Sequence, residues 1–166
     1  MPTVSSQHIV ALATFGRIAY IGKAPGTNGA LIGLITFVLV QYTLYPIMPL
    51  VYAGLLGFSI VLAIWICGRA ERLLGKRDPA VVILDEAVAL PLCFIGFGEA
   101  LQSVQAVWLL PTGFILFRFF DIVKPWPIHQ LQALPGGLGV VVDDVAAALG
   151  TAGTLHTLRF AFGLLS

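Results

Sequence analysis

Five carboxylates stand out in this chain because so little else is charged: Asp85-Glu86, Asp121 and Asp143-Asp144. Only 10% of the 166 residues are Asp, Glu, Lys or Arg, and 58% are hydrophobic. Asp143 and Asp144 lie side by side in the apolar run GVVVDDVAAALG. Neighbouring carboxylates repel, and burying one unpaired is costly. A divalent cation relieves both penalties. Oxygen ligands without Cys or His at ligand spacing suit Mg²⁺, which also accepts phosphate oxygens. Arg118 and Lys124 flank Asp121 and supply the complementary chemistry: a guanidinium fork and a point charge for phosphate. Asp78, next to the basic loop, is a further candidate ligand. These residue types predict metal-assisted phosphate ester chemistry.

Each acidic pair also has a plainer reading. Acids in the first turn of a helix complement its dipole by ~0.3–1 kcal/mol each. Two pairs plus Asp121, with cations beside them, favour the metal-phosphate reading over two independent caps. KAPGTNGA, residues 23–30, is read as a Gly- and Pro-containing turn before a helix, where Lys23, Thr27 and Asn28 are candidate phosphate contacts. It lacks the Walker pattern and is not a nucleotide loop. His129 reads as a surface residue near an interface. Cys67 and Cys93 have no Cys or His partner at zinc spacing and read as small buried residues.

The elements that must position these groups are membrane helices. A mean hydropathy of +0.97 lies far above that of a soluble domain. Residues 30–48 and 50–67 each approach the ~20 apolar residues that a spanning helix needs. They are joined by a link short enough to force a helical hairpin. Residues 68–79 are the most charged stretch, an aqueous loop or helix extension. Residues 87–98 are apolar but short and broken by Pro91, as in a re-entrant or shielded segment. Residues 106–120 cross again, with a kink at Pro111. Residues 121–137 are proline-rich and interfacial. A last apolar stretch, 145–165, follows the Asp pair and is rich in the small residues that let membrane helices pack closely. Residues 8–21 lie along the interface or cover the bundle. The expected fold is all-α: one polytopic membrane domain over residues 1–166, with about four full spans, a short or re-entrant segment and an N-terminal interfacial helix.

Threading these segments through a bilayer puts Arg17, Lys23, Arg69, Arg72, Lys76, Arg77, Arg118 and Lys124 on one face. The positive-inside rule makes that face cytoplasmic. Every acid except Glu99 falls there too, and Asp143-Asp144 mark the start of the last helix. A net charge of +1 gives no case for a nucleic acid partner. A cation transporter would place its acids near mid-membrane between repeats, and no repeat is visible. A non-catalytic scaffold would need neither the acids nor the cations. Oligomeric state is left open by the sequence.

KAPGTNGAL, DPAVVILDE, FRFFDIVKPWPI and GGLGVVVDD, in this order and spacing from about residue 15 to 150, resemble the phosphatidylglycerophosphatase A family. The chain departs from the family pattern at Ala30, where Ser is expected, at Ala89, where Gly is expected, and before Lys23, where FGRIAYIG stands in place of a tighter Gly-Ser-Gly stretch. The resemblance implies a bacterial inner-membrane enzyme that uses Mg²⁺ to remove the terminal phosphate of phosphatidylglycerophosphate, with the site on the cytoplasmic face. It carries the acidic motif onto Asp78, Asp85, Glu86, Asp121, Asp143 and Asp144, and the basic positions onto Arg118 and Lys124. Attack by water and attack by a carboxylate through an aspartyl-phosphate both fit these residues.

Overall fold

The computed structural model describes residues 4–45 and 47–162, and their regular structure is entirely helical. Pro46 and the end of the 145–165 stretch lie outside the described residues. Seven α-helices run in the order α1 (Val4–Ala13), α2 (Pro25–Thr43), α3 (Pro49–Leu74), α4 (Leu84–Ala89), α5 (Ala106–Val123), α6 (Ile128–Leu131) and α7 (Gly137–Phe162). Four of them, α2, α3, α5 and α7, are long and apolar enough to cross a membrane. The protein is an all-α membrane bundle.

The boundaries differ from the sequence expectation for physical reasons. Helix α2 begins at Pro25, not near residue 30. Proline at the first helical position loses no intrahelical bond, so the PGTNG stretch is helix rather than turn. Helix α3 runs through the charged stretch to Leu74 and stops at Gly75, whose φ of 63° is left-handed. Its 26 residues span about 39 Å, more than a ~30 Å hydrocarbon core. Arg69 and Arg72 therefore ride on a helical extension. Helix α7 starts at Gly137, so the Asp pair does not open it. No acid occupies its first turn, and Asp143 stands about 9 Å along the axis. Helix capping is thereby ruled out for this pair. Gly137 explains the early start: any Cβ there would strike the Ile64 carbonyl oxygen of α3, so only glycine lets the two backbones meet.

The short apolar segment, residues 87–98, is the shielded one. Helix α4 continues into a 3₁₀ turn, Leu90–Phe94, and Ala89, Leu90 and Cys93 are fully buried. It packs between the spans, with Phe94 stacked on Phe37 of α2 at 4.9 Å. From α7, Ala147, Ala148, Ala152 and Leu155 face the core. Helix α1 lies against α3, and the Ile83 amide donates to the Ala13 carbonyl at 2.9 Å. The N-terminal segment thus covers the bundle and pins the start of α4.

Candidate functional site

One end of the bundle holds a cleft of about 270 Å³, lined by Asp78, Asp85, Glu86, Asp121, Asp143 and Asp144 together with Arg118 and Lys124. Six acids against two bases leave the cleft short of positive charge. The start of α2, at Pro25 and Gly26, forms another wall.

The carboxylates fall into two groups. Asp121 and Asp143 are paired. Arg118 Nη1 donates to Asp121 Oδ2 at 2.5 Å, one helical turn along α5. Lys124 Nζ donates to Asp143 Oδ2 at 2.5 Å and lies 3.9 Å from Asp121 Oδ1. Lys124 follows the last residue of α5, with a left-handed φ of 44° that turns the chain toward α7. Burial lowers the pKa of its ammonium, but the bond to Asp143 and the surrounding carboxylates outweigh this and hold it above its ordinary value.

Asp85, Glu86 and Asp144 form the second group. One oxygen of each lies within 4.8 Å of the others. Asp85 and Asp144 are 4% and 3% exposed, so solvent does not supply the missing charge. Asp85 Oδ1 and Glu86 Oε2 are buried with no hydrogen-bond partner. The nearest cation to Glu86, Arg118, is 3.9 Å away and committed to Asp121. Burial pushes the Glu86 carboxyl up to about 7, with further contributions of both signs from its neighbours. Burial, then the charges of Glu86 and Asp144, push Asp85 well above the usual carboxylate range. Three converging carboxylates, two of them with an unpartnered buried oxygen, fit a hard divalent cation.

All five predicted central acids, with Arg118 and Lys124, are therefore brought together. Asp78 lines the rim and is exposed. It accepts a bond from Gln132 Nε2 at 3.1 Å, while Arg77 donates to the Gln132 carbonyl at 2.8 Å. Lys23, Thr27 and Asn28 do not line the cleft. Lys23 is exposed. The Asn28 amide donates to the carbonyls of Ile18 and Ile21, at 3.1 and 2.7 Å, and so fastens the segment before α2. His129 is exposed.

Sequence reasoning missed Gly26 and Gly29. A Cβ on Gly26 would overlap Glu86 Oε1 and come within 3.1 Å of the Arg118 guanidinium. A Cβ on Gly29 would lie 2.6 Å from the Ile83 carbonyl and 3.0 Å from Glu86 Oε2. Their spacing of three in PGTNG was the available signal, since residues three apart share a helix face. Ala30 and Ala89, two of the departures from the family pattern, are fully buried and away from the cleft.

A carboxylate cleft with two seated cations, at one end of a four-span bundle, defines a membrane-embedded enzyme suited to phosphate esters. The chain belongs to the phosphatidylglycerophosphatase A family, whose model matches residues 11–159, and it is a phosphatase. It is 35% identical over 143 residues to phosphatidylglycerophosphatase A of Haemophilus influenzae, covering 86% of this chain and 82% of that one. It is 28% identical over 162 residues to the Escherichia coli protein of the same name, covering 96% and 88%. A Bacteroides thetaiotaomicron protein provisionally named a phosphatidylinositol-3-phosphatase is 33% identical over 142 residues, covering 84% and 86%. No solved structure matches the chain.

Proposed function

We propose that this protein hydrolyses the terminal phosphate of phosphatidylglycerophosphate to give phosphatidylglycerol, a step of phospholipid biosynthesis. It acts with Mg²⁺ at the cytoplasmic face of a bacterial inner membrane. The observation that carries this reading is the division of the cleft: three clustered carboxylates, approached by a cation only where Arg118 comes within 3.9 Å of Glu86, beside two cations held closely by Asp121 and Asp143. The names of two relatives supply the substrate.

Asp85, Glu86 and Asp144 would hold the metal. Bound there, Mg²⁺ neutralises charge on the phosphoryl group and lowers the pKa of a coordinated water. The protein's own residues do the rest. Asp121 fixes the Arg118 guanidinium and Asp143 fixes the Lys124 ammonium, so both face the cleft without reorganising when a phosphate arrives. Preorganised cations stabilise the charge that spreads over the equatorial oxygens during transfer. The carboxylates of the cleft accept the proton of the attacking water. The diacyl tails stay in lipid, because the cleft sits at one end of the apolar helices.

The positive-inside rule supports the cytoplasmic placement. Arg69, Arg72, Lys76 and Arg77 lie at the end of α3 and in the loop that carries Asp78, at the rim of the cleft. A second substrate reading rests on the Bacteroides relative, whose name denotes a different lipid phosphate monoester.

The test is inorganic phosphate release by the purified protein in detergent, with Mg²⁺ and then EDTA, from phosphatidylglycerophosphate and phosphatidylinositol 3-phosphate in parallel. Mg²⁺-dependent release that favours phosphatidylglycerophosphate is expected. Release from neither lipid by folded protein overturns the reading, and preference for the inositol lipid replaces the substrate.

A further inference from the structure

The walls of the hairpin α2–α3 do not close on each other. Between them, against α4 and the turn that follows it, lies an apolar cavity of about 230 Å³ lined by Gly33, Phe37, Val40, Leu56, Ala87 and Pro91. It continues into a second cavity of about 400 Å³ that shares Tyr52, Leu56 and Pro91. Gln41, buried with its Nε2 unpartnered, lines that second space and ends the apolar stretch.

Two features set the upper end of this slot beside the cleft. Ala87 and Val88, which line it, directly follow Glu86 in the chain. Along α2, Gly29 backs onto Glu86 and Gly33, one turn on, backs onto Ala87. The slot therefore starts one helical turn from the carboxylates and runs away from them between two spanning helices. The Ser59 hydroxyl in its wall is already satisfied: Ser59 Oγ donates to the Leu56 carbonyl of its own helix at 2.7 Å. Inside a bilayer, an occupant of such a space must need no hydrogen bonds.

We propose that this slot seats an acyl chain of the lipid whose phosphate occupies the cleft. The inference rests on the lipid phosphate reading above and adds where the tail goes. A phosphate held by Arg118 and Lys124 fixes the headgroup, and the slot begins one helical turn along α4, within reach of a tail that passes round the α2–α4 contact. Burying part of the chain there contributes ground-state binding, so it acts on KM.

Two measurements test this. Photolabelling of the parent protein with a long-chain lipid phosphate monoester bearing a diazirine on its acyl chain is expected to mark residues 36–40 and 52–59. The labelling should be suppressed by excess unlabelled lipid. Labelling spread evenly over the lipid-facing side of α5, at Ile115, Phe119 and Ile122, overturns the slot. In the second measurement, Ser59→Trp fills the cavity, and Ile115→Trp, outside it, is the control. Ser59→Trp is expected to raise KM for the long-chain substrate about tenfold. It should leave kcat, and KM for a short-chain soluble analogue, within about twofold. Equal long-chain KM in parent and Ser59→Trp overturns the proposal. Slot labelling without phosphate release would leave the slot standing and remove the phosphatase reading. Release without slot labelling would do the reverse.

Discussion

The α4 side of the cleft and the α5 side use the same chemical group in opposite electrostatic states. Asp121 and Asp143 each hold a cation through one oxygen, and the second oxygen of Asp143, Oδ1, is buried without a partner. Asp85, Glu86 and, from α7, Asp144 lie close together with no hydrogen bond to a cation, and Asp85 and Glu86 each keep a buried oxygen without a partner. In the proposed function, the paired carboxylates would aim cations at a phosphate and the clustered ones would hold the metal. Breaking a pair would free a buried charge, and removing a clustered acid would, on that proposal, remove a ligand.

The largest expected effect is therefore on the unpaired side. Asp144→Asn and Asp85→Asn should each lower phosphate release by at least about a hundredfold, with expression and helicity retained. Circular dichroism alongside the assay checks both halves. On the paired side, Arg118→Lys keeps the charge and loses the fork, and should cost about tenfold or more in kcat/KM. Asp121→Asn should fall between the two classes, because Arg118 remains but is no longer held by a charged partner. If Asp121→Asn proves as damaging as Asp85→Asn, the two sides are not distinct.

Gly26→Ala sharpens the comparison from the α2 wall. Its Cβ would press on both Glu86 and Arg118 and so disturb the two sides together. Activity should drop about tenfold while the melting temperature moves little, since side chains can yield where backbone cannot. Gly29→Ala meets the Ile83 carbonyl instead and should destabilise the fold more than Gly26→Ala.

The smallest expected effect is on pH. Glu86 has an ordinary pKa of 4.5, raised to about 7 in the fold. The folded chain therefore binds this proton more tightly than the unfolded one. Its contribution to metal-free stability is full below about 4.5 and is lost as pH rises through 7. Melting in EDTA should show this decline across that window. Mg²⁺ should offset it, because metal takes the place of the proton. A melting temperature in EDTA that rises through the same window would contradict the assignment.

Much of this was legible in the sequence. Scarce charge in an apolar chain made Asp85, Glu86, Asp121, Asp143 and Asp144 conspicuous, and hydropathy gave four spans and one short segment. The start of α7 was not legible from hydropathy, because Gly136 and Gly137 read as a loop. Close contact with α3 overrides that preference and carries Asp143 and Asp144 past the first turn, which removes the capping alternative. Lys23, Thr27 and Asn28 were read from a loop that is largely helix, and Asn28 spends its amide on backbone carbonyls. The hold of Ala13 on Ile83 is a tertiary backbone bond that no side-chain pattern announces. Which acids would pair with cations depended on the turn at Lys124, which directs its ammonium to Asp143 across to α7.

The central claim is that the two groups of carboxylates have different work, and metal affinity reads this directly. Calorimetric titration of Mg²⁺ into purified protein, without lipid, should show one binding event. That event should be lost in Asp85→Asn and Asp144→Asn and kept in Asp121→Asn and Asp143→Asn. Equal loss in all four variants, or undiminished binding in Asp85→Asn and Asp144→Asn, would contradict it.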